Sequence, residues 1–118
     1  MIKNIVILLL LFAQLTGCVQ KASKKTVVYI LSVAGINSIK SVGMRGGDQP
    51  LNWQSDFDMK RDRSDSTYKA VVSYLTGYKF TEVKFVVNNE FELQNQDNRR
   101  VVFSDSDTTI YTATFNVR

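Results

Sequence analysis

The sequence predicts an all-β domain, an antiparallel β-sandwich of about seven to eight short strands. Three observations predict it: apolar and polar residues alternate through several short runs, polar or Gly-containing turns interrupt those runs about every ten residues, and beyond the N-terminal segment no window sustains an apolar period of 3.6 residues.

The elements follow in order. Val27, Tyr29, Leu31 and Val33 alternate with smaller or mixed partners, and the run breaks at Gly35-Ile36-Asn37. An extended pattern resumes over residues 39–44 and meets Arg45-Gly46-Gly47-Asp48-Gln49-Pro50, whose glycines and proline mark a loop that carries Trp53. Residues 57–60 suit a short strand, 62–66 a polar turn and 68–75 another strand, with Thr76-Gly77 as a tight reversal. In the next strand, 79–88, Val83, Phe85 and Val87 fall on one face and Lys84 on the other. Asn88-Asn89 turns the chain, residues 91–94 are short, 99–103 extend, and 108–117 alternate Ile110, Thr112 and Thr114 against Tyr111, Ala113, Phe115 and Val117. Short strands at this spacing, with no internal repeat, argue for a sandwich of immunoglobulin-like shape.

The N-terminus has the layout of a secretory signal: a basic head in Met1-Ile2-Lys3, an apolar run over 5–12, and Leu15-Thr16-Gly17 before Cys18. The run is too short to span a bilayer, which takes about 20 residues. With the chain's single cysteine at the cleavage point, the segment resembles a bacterial lipobox. The resemblance implies a signal peptide over 1–17, lipid (palmitate among it) on Cys18, and attachment to the cell envelope, with sorting to the outer membrane. The other reading is an ordinary signal peptide with a leftover thiol. Residues 18–25 read as a polar tether that, at about 3.3 Å per residue, reaches at most about 25 Å. The domain proper is then 26–118.

Charge narrows the choice of partner. Four of the 15 basic residues, Lys3, Lys21, Lys24 and Lys25, precede Thr26, whereas none of the 11 acidic residues does, so the domain is neutral. Lys3 belongs to the signal, and the basic excess of Lys21, Lys24 and Lys25 sits in the tether beside the membrane. Nucleic acid is not implied, because the domain has no basic stripe.

Catalysis has little support. The chain has no histidine, which removes imidazole triads and imidazole metal sites, and its one thiol is assigned to lipid. Glu82, Glu90, Glu92 and Asp97 are close in sequence, but a small sandwich gives a carboxylate pair little depth, so these acids read as solubilising or binding residues. Asp56, Asp58, Asp62 and Asp65 lack the spacing and central glycine of a calcium loop. No metal, cofactor or enzymatic activity is expected.

Binding is the remaining class. Trp53 is the only tryptophan and lies in a Gly- and Asp-rich loop; it can stack on a sugar's C–H face or fold back over the sandwich. Phe91 suits either a platform or the core. Lys84 can donate to sugar hydroxyls or form a surface pair with Glu82 or Glu92. Asn98 can bridge adjacent hydroxyls or simply form a turn, and Gln94 and Gln96 could add polar contacts.

The order Leu51-Asn52-Trp53, Glu82-Val83-Lys84-Phe85, Phe91-Glu92 and Asn98-Arg99 resembles the starch-binding domains, the family 20 carbohydrate-binding modules and their glycogen-binding relatives, over roughly residues 40–116. In that family a loop tryptophan, a strand lysine, a second tryptophan and an asparagine form the main glucan site. The resemblance implies that Trp53, Lys84, Phe91 and Asn98 are the carbohydrate-binding residues, with Phe91 giving a smaller ring where the second tryptophan would stand. It implies an α-glucan ligand (starch, glycogen or maltooligosaccharide) held non-catalytically at the envelope for glycan-utilisation proteins nearby. Some members carry a second site built from tyrosines; Tyr68, Tyr74 and Tyr78 are read here as sheet-packing residues instead. The alternative function is a structural or protein-interaction subunit of an envelope assembly with a degenerate sugar site.

Overall fold

A computed structural model of the chain describes residues 21–63 and 66–118. The expected signal peptide and Cys18 lie outside these residues, as does Asp65. The described residues form nine strands: β1 (Ser23–Ser32), β2 (Val42–Gly46), β3 (Phe57–Asp58), β4 (Lys60–Arg61), β5 (Thr67–Thr76), β6 (Phe80–Val87), β7 (Glu90–Phe91), β8 (Arg99–Val102) and β9 (Thr108–Thr114). They make two sheets, one ordered β4-β5-β1-β9 and the other β3-β2-β6-β7, with β8 also on β6. An all-β sandwich is therefore correct.

Alternation decides what each sheet buries. Val27, Tyr29 and Leu31 of β1 and Tyr68, Ala70, Val72 and Tyr74 of β5 face Val42 and Met44 of β2 and Val83, Phe85 and Val87 of β6 in one core. Tyr29 joins the sheets, its ring edge-on to Phe85 with centroids 6.2 Å apart. Its hydroxyl would be costly to bury alone, but it shares a hydrogen bond of 2.8 Å with the Tyr74 hydroxyl. Tyr68 and Tyr74 are sheet-packing residues, as expected. Tyr78 is not: it is 70% exposed, because it lies in the link between β5 and β6 and not in either strand.

Four further expectations are corrected. The sandwich is mixed, not antiparallel, because β1 pairs with β9 in parallel, Val28 opposite Ile110. Ser23, Lys24 and Lys25, assigned to the tether, begin β1 and pair with Thr76, Leu75 and Tyr74; a polar strand end at a sheet margin carries no apolar signal. Thr76-Gly77 does not close a hairpin, since β5 and β6 belong to different sheets and the link crosses between them. Finally, the second strand begins at Val42 and runs through Arg45 and Gly46, which had read as loop.

Gly46 is in the strand for lack of room. A Cβ there would lie 2.9 Å from both the Glu82 carbonyl oxygen and Leu51 Cδ1. The Asn88-Asn89 turn is as expected: both residues have positive φ, 52° and 65°, and Val87 pairs with Glu90 across a two-residue loop.

The strand neighbours of β6 leave a gap. β7 pairs with Val86 and Val87, β8 with residues 80–83, and nothing in either strand pairs with Phe85. Glu92 fills it. Its backbone N–H donates to the Phe85 carbonyl at 3.0 Å, and its carboxylate accepts the Phe85 N–H at 2.9 Å. Glu92 had read as a solubilising or binding acid, yet it is fully buried. Arg99 makes this possible, with Nε and Nη2 donating to the two carboxylate oxygens at 2.7 and 2.8 Å. Those bonds to Glu92 also raise the guanidinium's pKa against the opposing effect of burial. The same guanidinium donates to the carbonyls of Thr114 and Val117 at 3.0 and 2.8 Å, fastening the C-terminal segment.

Candidate functional site

The outer face of the five-stranded sheet is polar where the inner face is apolar. On β6, Glu82 and Lys84 point away from the core; their cross-strand neighbours are Arg100 on β8 and Arg45 on β2. Phe91 of β7 pairs with Val86 on this same outer face.

Two loops overhang the face. The first carries Trp53, and Asn52 shapes it: its Oδ1 accepts the backbone N–H groups of Gln54 and Ser55 at 2.9 and 2.8 Å, an Asx turn that presents the intervening indole. Arg45 then ties the loop to the sheet, with Nη1 donating to the Trp53 carbonyl at 3.1 Å and Nε donating to Asp56 at 2.7 Å. Gly43 leaves room for this, since a Cβ there would meet Asp56 Cβ at 2.9 Å. Trp53 is half-buried but is neither in the core nor packed against it, so it does not cap the sandwich.

The second loop, residues 92–98, spans the gap beside β6. Leu93 is turned inward and buried, and its N–H donates to Asn116 Oδ1 at 2.7 Å. Its carbonyl accepts from Lys84 Nζ at 3.0 Å. Lys84 is thus bonded to the loop and not to Glu82 or Glu92, and an ammonium's other two donors are left over. Asn98, half-buried, donates through Nδ2 to Glu82 Oε2 at 3.4 Å.

Trp53, Lys84, Phe91 and Asn98 come together. With Gln94 and Asn95 they line one open hollow of about 380 Å³. Gln96 lines a neighbouring hollow instead, with Glu82, Asp97 and Arg100. Phe91 is not a core residue: it is half-buried, and the Arg45 guanidinium lies 5.0 Å from its ring centroid. One ring face is thus occupied by the guanidinium, and the ring contributes to the lining of the hollow. Trp53 and Phe91 offer apolar surface, Lys84 offers donors, and the amides offer both donors and acceptors, a combination suited to a hydroxyl-rich ring.

Arg45 was missed by the sequence reading, which placed it in a loop; only the register that sets it opposite Lys84 reveals its part. Among the described residues, no three His, Cys, Asp or Glu side chains converge as a metal-ligand set. Comparison of the chain with protein-family models and with curated proteins returns no match.

Proposed function

We propose that this chain is a non-catalytic carbohydrate-binding module of immunoglobulin-like shape that holds starch- or glycogen-type α-glucans at a bacterial envelope, anchored by lipid on Cys18. One observation carries the reading: Trp53, Lys84, Phe91 and Asn98, drawn from two loops and two strands, line a single open hollow. Sugar binding there combines indole stacking with hydrogen bonds from Lys84 and Asn98, and a shallow hollow suits weak, repeated capture. Nearby glycan-utilisation proteins would then use the retained chain. The test is a pull-down on insoluble starch: wild type is retained, and Trp53→Ala and Lys84→Ala variants with unchanged folding are not. Equal retention of all three would refute the reading.

A second reading, a protein-interaction subunit of an envelope assembly, is favoured by the opposite sheet. Its outer face sets Val71, 53% exposed, and Ile110, 69% exposed, on either side of Val28 in one cross-strand row. Loss of an envelope complex on Ile110→Lys, with starch retention intact, would support it.

A further inference from the structure

The hollow just described does not end at Trp53. Trp53 and Asn98 also line an adjoining hollow of about 300 Å³, together with Asp48, Tyr78, Phe80 and Glu82. The two hollows differ in chemistry. The first presents the Lys84 ammonium, a donor only, whereas the second presents two carboxylates, acceptors only.

Among the described residues, each carboxylate accepts a side-chain hydrogen bond through one oxygen only. Asp48 Oδ2 accepts the Thr81 hydroxyl at 2.6 Å, and Glu82 Oε2 accepts from Asn98 at 3.4 Å. A ligand there must bring hydrogen-bond donors, as sugar hydroxyls do, and no negative charge of its own. The second hollow also has apolar surface that the fold does not use. Phe80 is 39% exposed, with the Arg100 guanidinium 4.3 Å from its ring centroid, and Tyr78 is 70% exposed. An exposed tyrosine beside a phenylalanine and the only tryptophan is unusual for a surface with no ligand.

We propose that the second hollow is a further subsite, taking the next sugars of a neutral glucan chain that passes across Trp53. Trp53 is then the shared wall of both subsites, and Asn98, tied to Glu82, stands at their junction. The inference rests on the carbohydrate-binding reading and adds to it: the ligand is a chain segment, not a single sugar or a chain end.

Calorimetric titration of the full chain with maltose, maltotriose and maltoheptaose tests this. Wild type binds maltoheptaose about tenfold more tightly than maltose, the increment of one further aromatic contact. Tyr78→Ala, an exposed site whose truncation leaves the core untouched, removes that gain while maltose affinity stays within about twofold, because Tyr78 lines the second hollow and not the first. Maltoheptaose oxidised to the 6-carboxylate also loses the gain. Affinity that does not rise with chain length, or a rise unaffected by Tyr78→Ala or by the carboxylates, overturns the second subsite and leaves the first intact. Absence of binding to every sugar overturns both.

Discussion

The Arg45 guanidinium holds the Trp53 carbonyl at 3.1 Å while lying over the Phe91 ring at 5.0 Å, so one side chain sets the spacing between the two aromatic walls of the candidate site. Both contacts, and the bond to Asp56, use the planar fork of arginine. Arg45→Lys keeps the charge but loses the fork. It should weaken maltoheptaose binding several-fold and lower stability by about 1.5–3 kcal/mol, the value of hydrogen bonds to charged groups. Titration calorimetry and urea unfolding check the two effects separately.

Glu92 and Arg99 form a buried pair that also completes the β6 ladder. Removing one partner leaves a buried charge uncompensated, so Glu92→Ala should destabilise the domain by about 3–5 kcal/mol. The same change frees the loop over residues 92–98 and should reduce sugar affinity under conditions where the protein is still folded. Equilibrium unfolding in urea measures the first effect, and fluorescence titration the second.

The Tyr29 and Tyr74 hydroxyls give a prediction for alkaline pH. Burial pushes Tyr74 up to about 12 and Tyr29 higher still. Folded pKa values above the unfolded value of about 10 mean that the unfolded chain loses protons first as pH rises. Stability from this pair is therefore fully present below about pH 10 and falls above it, by about 1.4 kcal/mol per pH unit for each tyrosine until its folded pKa is reached. Urea midpoints between pH 9 and 12 should show the decline, and Tyr74→Phe should lessen its slope.

Gly46 of β2 pairs with Val83 of β6. Gly46→Ala would place a methyl group 2.9 Å from the Glu82 carbonyl oxygen, and backbone cannot yield as a side-chain end can. A loss of about 1–3 kcal/mol is expected, in the range of overpacked sites, and is measurable by thermal unfolding.

Much of this was legible in the sequence because strand alternation is a local signal. The period of two in 83–87 correctly placed Val83, Phe85 and Val87 inside and Lys84 outside, and the Asn88-Asn89 turn announced its own hairpin. Grouping Trp53, Lys84, Phe91 and Asn98 depended on a family resemblance, and the structure brings the same four into one hollow. What was not legible is long-range. Nothing local distinguishes Glu92, buried against Arg99, from its exposed neighbour Glu90. Nor could a strand pattern show that β9 would run parallel to β1, that Arg45 would lie across from Lys84, or that Tyr78 would sit outside both strands it joins.

Fluorescence of the full chain tests the central claim most directly, since its only tryptophan is the proposed platform. Titration with maltoheptaose should give a saturable change in Trp53 emission that a β-linked glucan of similar length does not produce. No change with either sugar, from protein shown to be folded, would contradict carbohydrate binding at this face and leave the exposed row around Val28 as the leading candidate for function.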